Sequence, residues 1–228
     1  MNTNNVWFIT PKTNLHVGNE NTSSYGLIDL GIQKNVTTQL PCINSSSLKG
    51  ALNEFSTNLA NISPEDRLRI FGCDKSGQIK DTAKGAYTFF DANILFIPRQ
   101  SDTSLFQLVT TDEVLSAFFN QVKLLTGKTI TEDTLQQMGF SYCKVSYNEF
   151  KSLCSDDNLP IIARNVLDNG ESMNLWYEQV LPAESVLYTF IDDKDDEILC
   201  NKLSDDKTIV QIGAGATIGY GYCKFKHL

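Results

Sequence analysis

The chain has 228 residues, of which 41% are hydrophobic and 20% charged, a composition typical of one large or two small globular domains. No stretch approaches the roughly 18 to 20 consecutive apolar residues of a membrane helix, and the N-terminus lacks a signal-peptide pattern, so we expect a soluble cytoplasmic protein without a membrane partner. The net charge of −8 excludes a nucleic-acid binder that depends on overall positive charge.

The predicted elements alternate between strands and helices along the chain. Strands are expected at 6–9, 15–17, 87–97, 175–181, 185–191, 208–212 and 221–225, and helices from Ser46, from Pro64 and over 112–125. Residues 128–174 are weakly patterned. With no internal repeat and no linker, the sequence predicts a single α+β domain over residues 1–228.

The charge is unevenly distributed. Residues 1–100 carry 9 Lys and Arg against 8 Asp and Glu, whereas residues 101–228 carry 10 against 19. Because cations drive phosphate binding, we expect any phosphate-facing surface to come mainly from the first hundred residues.

The six cysteines contain no C-x-x-C pair, and the chain has only two histidines. This excludes a zinc finger, and no metal ligands are predicted. In a reducing cytoplasm we expect free and mostly buried thiols.

The start of the first helix is a candidate anion site. Ser45, Ser46 and Ser47 supply hydroxyls and backbone N–H groups, with Ser45 or Ser46 as the expected cap, and Lys49 adds a cation within the first turn. An ordinary surface lysine is the alternative. Arg99, which follows Pro98 at a strand end, is either exposed or anion-binding.

A glycine-rich run near the C-terminus, Ile212-Gly-Ala-Gly-Ala-Thr-Ile-Gly-Tyr-Gly221, is a second candidate. A dinucleotide-binding unit would need a further helix and strand, but only seven residues follow. The run therefore predicts a loop between two strands. Its four glycines are Gly213, Gly215, Gly219 and Gly221. They would let backbone amides approach an anion, or they would only allow the backbone dihedral angles that a tight hairpin needs.

His16 and Asp29 flank a polar loop and are candidate general acid/base groups. At neutral pH such chemistry needs side chains that accept, donate or position a proton, and a carboxylate can also hold a divalent ion. The spacing alone also fits a structural histidine and a turn aspartate.

Together these segments resemble the RAMP superfamily of CRISPR proteins, and more narrowly the repeated backbone subunit of type III-B effector complexes. The segments that carry the resemblance are Leu15-His-Val-Gly18, Gly26-Leu-Ile-Asp29, Leu40-Pro-Cys-Ile-Asn-Ser-Ser-Ser-Leu-Lys-Gly-Ala-Leu52, Ile70-Phe-Gly72, Phe90-Asp-Ala-Asn-Ile-Leu95, Ile97-Pro-Arg99, Val180-Leu-Pro-Ala-Glu184 and Gln211-Ile-Gly-Ala-Gly-Ala-Thr-Ile-Gly-Tyr-Gly221.

The resemblance implies a modified RRM or ferredoxin-like fold with an inserted β-hairpin thumb, expected within 128–174. It implies copies that stack along one CRISPR RNA beside other RAMP and large subunits. The serine-lysine helix start and the glycine run, with Thr217, would contact the guide backbone. Asp29, with His16 nearby, would cleave single-stranded target RNA with Mg²⁺ or Mn²⁺.

Other functions stay open. The terminal run is Gly-Ala-Gly-Ala where the family often has Gly-Gly-Asn-Glu. Because these polar side chains are missing, RNA contacts of the run would depend on its backbone amides. The chain could be a catalytically inert RNA-binding filament subunit, or the equivalent subunit of type III-A complexes. A nucleotide-binding metabolic enzyme is the third alternative.

Overall fold

Nine strands form one mixed sheet in the computed structural model, which describes residues 1, 5–19, 28–58, 61–72, 84–169, 171–194 and 196–228. The nine strands of this sheet are β1 (Val6–Pro11), β2 (Cys42–Ile43), β3 (Thr88–Phe89), β4 (Ala92–Arg99), β5 (Gln107–Thr110), β6 (Tyr142–Lys144), β9 (Val186–Asp192), β10 (Val210–Gln211) and β11 (Tyr222–His227). Two further strands, β7 (Ile161–Asp168) and β8 (Glu171–Gln179), form a separate hairpin. The helices are α1 (Ser45–Asn58), α2 (Pro64–Phe71), α3 (Asp112–Thr126), α4 (Glu132–Gln137), α5 (Tyr147–Leu153) and α6 (Ile198–Leu203). None of the helices in these ranges is long and apolar enough to cross a membrane.

The centre of the sheet has a ferredoxin-like arrangement. The spatial order is β10-β11-β1-β9-β4-β5-β6, and β1, β4, β9 and β11 are joined by antiparallel pairing. Helices follow β1 and β9, which gives the β-α-β-β-α-β pattern of this fold. The expected α+β class is confirmed.

Helices cover both faces of the central sheet. The neighbouring residues Trp7 and Phe8 point to opposite faces because side chains alternate along a strand. Trp7 lines a small cavity with Cys200 of α6, whereas the Phe8 ring lies 5.7 Å from the Phe118 ring of α3. β1 is therefore apolar without alternation, and Val6 through Ile9 are all buried.

Local signals account for the ends of α3. The side chain of Thr111 accepts a hydrogen bond from the Val114 N–H, and Gly127 ends the helix in the left-handed conformation with φ +72°.

Three sequence-based expectations need correction. Residues 15–17 form no strand but make an isolated bridge from Leu15 to Leu181. The strand expected at 87–97 is divided into β3 and β4, which both pair with β9, and between them the Asp91 carboxylate accepts the Ser45 N–H of α1. The weakly patterned residues 128–174 contain α4, β6 and α5 as well as most of a hairpin.

That hairpin, β7–β8, pairs only within itself among the described strands. Its outer part is exposed, including Val166, Met173 and Leu175, whereas Glu178 and Gln179 at its base are buried. The hairpin therefore projects from the body at a fixed base. It begins inside the 128–174 stretch and ends beyond it at residue 179.

Five cysteines lie among the described residues, and all five thiols are free, as expected. Four are buried, and only Cys143 of the five is exposed.

We expect Phe118→Ala to lower the free energy of unfolding by about 3 to 5 kcal/mol, because it leaves a cavity between α3 and the sheet. Leu124→Ala on the same helix is the matched control, because that side chain is 82% exposed, and it should change stability by about 0.5 kcal/mol or less. Urea unfolding measures both, and equal losses would contradict the assigned core.

Candidate nucleic-acid interface

The start of α1 is bound to its surroundings through main-chain and side-chain contacts. The Ser45 N–H donates to the Asp91 carboxylate at 2.7 Å, so the first helical amide has an aspartate partner instead of the serine cap that the sequence suggested. The Ser47 hydroxyl accepts a hydrogen bond from Gln33 Nε2 at 3.0 Å. Ser46 is exposed, and the half-buried Lys49 has no ion-pair or hydrogen-bond partner among the described residues.

Cys42 lies just before this helix, and its thiol is unreactive. Burial, with a smaller contribution from the Asp91 carboxylate, raises the pKa of its thiol to about 11. The thiol is therefore neutral at neutral pH and does not serve as a nucleophile there.

The glycine turn, residues 212–221, docks onto the segment that follows β1. The Ala214 N–H donates to His16 O, and the Gly221 N–H donates to Asn14 O, both at 2.9 Å. Gly213 has φ +79°, and a Cβ at this position would lie 2.2 Å from His16 O. This close approach requires glycine.

Within the turn, a short 3₁₀ helix (Ala216–Ile218) carries the exposed Thr217 and is flanked by Gly215 and Gly219, both with positive φ.

The α1 start and the glycine turn lie on the same side of the molecule because the turn binds residues 14–18 directly and Gln33 joins the same residues to the helix start. Gln33 links this segment to the helix: its N–H donates to Val17 O at 2.9 Å, and its Nε2 donates to Gly18 O at 3.2 Å and to the Ser47 hydroxyl. β10, which leads into the turn, also packs beside α1. The structure thus brings Ser45, Ser46, Ser47 and Lys49 to the same side as Gly213, Gly215, Thr217, Gly219 and Gly221.

Asp29 is held against the base of the hairpin. Its N–H donates to Tyr177 O at 3.1 Å, and its Oδ2 accepts from the Tyr177 N–H at 2.8 Å. Its second carboxylate oxygen, Oδ1, has no hydrogen-bond partner among the described residues, and the side chain is exposed. The preceding loop, including Gly26, lies outside the described residues.

His16 is buried beneath this surface. Its Nδ1 lies 2.7 Å from Gln179 O, and its Nε2 lies 3.6 Å from the Glu178 carboxylate. Glu178 also accepts from Arg164 Nε at 3.0 Å, and both His16 and Glu178 are about 95% buried. With both ring nitrogens beside acceptors, His16 connects the segment after β1 to the hairpin.

A second polar network supports the same base. The Gln179 side chain accepts from the Ile32 N–H at 3.3 Å and donates to Asp156 at 3.1 Å, and Lys34 binds Asp156 at 2.6 Å. Partial burial opposes ionisation of Asp156, but the hydrogen bonds from Lys34 and Gln179 and the charge of Lys34 lower its pKa below the usual value. The carboxylate therefore stays charged and holds the network together.

Sequence reasoning missed Glu178, Arg164 and Gln179. For Glu178 and Gln179 the signal that could have found them is a polar pair directly before the buried Val180 and Leu181, whereas Arg164 on β7 has no such signal. Arg99 lies apart from the helix start. It is the last residue of β4, and the length of this strand separates it by about 23 Å from Ala92 at the end near α1. Its guanidinium binds Glu149 at 2.6 Å and Gln107 at 2.8 Å.

Comparison with known proteins identifies the family. A sequence profile of the RAMP superfamily matches residues 8–224. The chain belongs to the RAMP superfamily. It is 23% identical over 260 aligned residues to the CRISPR system Cmr endoribonuclease Cmr4 of Pyrococcus furiosus, which covers 87% of this chain and 88% of that protein.

Solved structures share the fold of this RAMP protein. A chain of the type III-B Cmr-beta complex bound to cognate target RNA matches with a TM-score of 0.70 at 20% identity, covering 97% of this chain and 96% of that one. Oligomeric Cmr4 from Pyrococcus furiosus matches with a TM-score of 0.68 at 18% identity, covering 98% of both chains. The expected RAMP fold is confirmed.

We expect Gly213→Ala to undock the glycine turn and lower the free energy of unfolding by more than about 2 kcal/mol, since it adds a clash with His16 O to the cost of positive φ. Gly219→Ala is the matched control: φ is +83°, but nothing lies within 4 Å of the added Cβ. It should cost only about 1 to 2 kcal/mol. Thermal or urea unfolding distinguishes the two, and equal costs would refute the docked geometry.

Proposed function

We propose that this chain is the repeated backbone subunit of a type III-B CRISPR effector complex, where it binds guide RNA and cleaves the complementary target RNA. The observation that carries the proposal is the shared use of residues 14–18. The glycine turn and the hairpin base beside Asp29 bind this segment directly, and Gln33 joins it to the α1 start. The Cmr4 relative is named as an endoribonuclease, and the solved relatives include an RNA-bound complex and an oligomer.

Guide RNA would lie along the surface between the α1 start and the glycine turn. Exposed backbone groups of the turn, the hydroxyls of Ser46 and Thr217, and the Lys49 ammonium are suited to ribose and phosphate oxygens, which every RNA sequence shares. Base pairing then reads the target sequence, so the protein needs only backbone and shape contacts. Other copies of the chain, and other RAMP and large subunits, would continue this surface.

The β7–β8 hairpin would serve as the thumb that interrupts the guide–target duplex. A nucleotide displaced at its base would lie beside Asp29. Its 2′-oxygen would attack the adjacent phosphorus, forming the 2′-O–P bond as the P–O5′ bond breaks. The 2′-hydroxyl proton would leave towards the Asp29 carboxylate, and the departing 5′-oxygen would take a proton from water, which leaves a 2′,3′-cyclic phosphate and a 5′-hydroxyl. Alignment of this internal nucleophile supplies much of the rate enhancement.

The donor set fits a divalent cation held jointly with RNA. No group of three metal-ligating side chains occurs in the described part of the chain, but Mg²⁺ commonly uses one or two carboxylates together with water and substrate phosphates. Oδ1 of Asp29 would be that protein ligand if the carboxylate holds the metal instead of accepting the hydroxyl proton. When bound, Mg²⁺ or Mn²⁺ would neutralise charge that develops on the phosphate.

A catalytically inert filament subunit is the second candidate. The observation in its favour is that Asp29 Oδ2 already accepts the Tyr177 N–H, a contact that would by itself explain an aspartate at this position. The two candidates differ in whether the assembled complex cuts target RNA.

We expect Asp29→Asn to reduce the target-cleavage rate of the assembled complex at least 100-fold, because the amide neither accepts the proton nor binds a cation well. Binding of guide and target should stay unchanged, since the amide oxygen can still accept the Tyr177 N–H. Single-turnover cleavage and filter binding measure both quantities. Asp102→Asn, at an exposed aspartate in the loop between β4 and β5, is the control. Normal cutting by Asp29→Asn would disprove the catalytic assignment, and an unmutated complex that binds but never cuts in Mg²⁺ or Mn²⁺ would establish the inert candidate.

We expect Lys49→Gln to weaken guide-RNA binding equally for all guide sequences and to reduce the slope of log K against log salt by about 1. Lys151→Gln on α5 is the control for loss of one positive charge. Titrations at several salt concentrations measure the slope, and an unchanged slope for Lys49→Gln would exclude a phosphate contact there.

A further inference from the structure

Arg164 connects the hairpin to the glycine turn. Its guanidinium carbon lies 5.0 Å from the centre of the Tyr220 ring, within the range of a cation–π contact. Its Nε donates to the Glu178 carboxylate of the facing strand at 3.0 Å. One side chain of β7 therefore contacts both a residue of the turn and a buried carboxylate at the hairpin base.

Tyr220 is packed inside the glycine turn. Its N–H donates to Gly215 O at 3.1 Å, and a Cβ at Gly215 would lie 3.1 Å from the Tyr220 Cβ. The following residue, Gly221, donates to Asn14 O. The Tyr220 side chain is therefore anchored in the turn that is proposed to hold the guide RNA.

At the other end of the connection, Glu178 is adjacent to the residue that holds Asp29. Tyr177 binds Asp29 through both its N–H and its carbonyl oxygen, and the Gln179 N–H donates to Leu30 O at 2.9 Å. A rotation of the hairpin about its base would move these groups together with Glu178. The direction of β8 thus sets the position of the Asp29 carboxylate.

We propose that Arg164 is a positioning residue that fixes the angle of the β7–β8 hairpin against the glycine turn and thereby sets where Asp29 meets the target RNA. The proposal rests on the proposed function, because it assigns the cut position to a contact between the guide-binding turn and the hairpin. Arg164 itself touches no reacting atom. It acts through Glu178 and β8.

The test uses two substitutions that remove the stacking contact but leave Glu178 a cationic partner. Tyr220→Leu removes the ring and keeps Arg164, whereas Arg164→Lys keeps the positive charge and removes the planar group that stacks. Tyr220→Phe restores the aromatic face and serves as the rescue variant. Each is assembled into the full complex with guide RNA, and the single-turnover cleavage rate, cut positions and guide affinity are measured.

We expect both variants to cut target RNA about tenfold more slowly, with cuts spread onto phosphates beside the main site. In Arg164→Lys, whose side chain lies outside the turn, we expect guide affinity to stay within about twofold, which is a free-energy change of about 0.4 kcal/mol. The double variant should be no slower than either single variant, because both remove the same contact. Tyr220→Phe should restore the rate and the single main site.

Unchanged rates and cut positions in Tyr220→Leu and Arg164→Lys would overturn the positioning role. Weakened guide binding with a normal rate in the RNA-bound complex would overturn it as well, because Tyr220 would then be an RNA contact. Failure of the proposed function is distinguishable, since in that case Asp29→Asn itself would leave cutting intact.

Discussion

Hydrogen bonding along residues 14–18 is the constraint on which the rest of the site depends. The main-chain oxygens of Asn14 and His16 accept hydrogen bonds from the glycine turn, Val17 and Gly18 bind Gln33, and the His16 imidazole contacts the end of β8. Buried backbone groups are costly to leave unpaired, so these partners hold one another in register. A short segment without regular structure thus sets the relative positions of a helix start, a turn and a hairpin.

An acidic chain can present such a surface because RNA recognition here would depend on local groups. The net charge is −8, yet Lys49 has no acidic partner among the described residues, and the glycine turn offers backbone amides that no charge count includes. Other cations are paired with acidic side chains: Lys34 with Asp156, Arg99 with Glu149, and Arg164 with Glu178. At the proposed interface, Lys49 and the backbone amides of the turn would therefore offset the negative total charge.

The sequence predicted those parts of the fold that local signals specify. Periodic apolar residues place α1 and α3, and the glycine run predicts a turn at the correct position. The hairpin base could not be predicted, because its contacts join residues far apart in the chain, such as Asp29 with Tyr177 and His16 with Gln179. The helix cap was missed for the same reason, since Asp91 approaches Ser45 only after β4 has joined the sheet.

The central claim is that one surface, formed by the α1 start and the glycine turn on residues 14–18, holds ribose-phosphate strands. Ultraviolet crosslinking of the guide-bound complex, followed by mass spectrometry of the crosslinked peptides of this chain, tests it most directly. The account predicts crosslinks in residues 44–49 and 213–221. Crosslinks confined to the α3 and α4 face of the sheet, with those two segments unmodified, would contradict it.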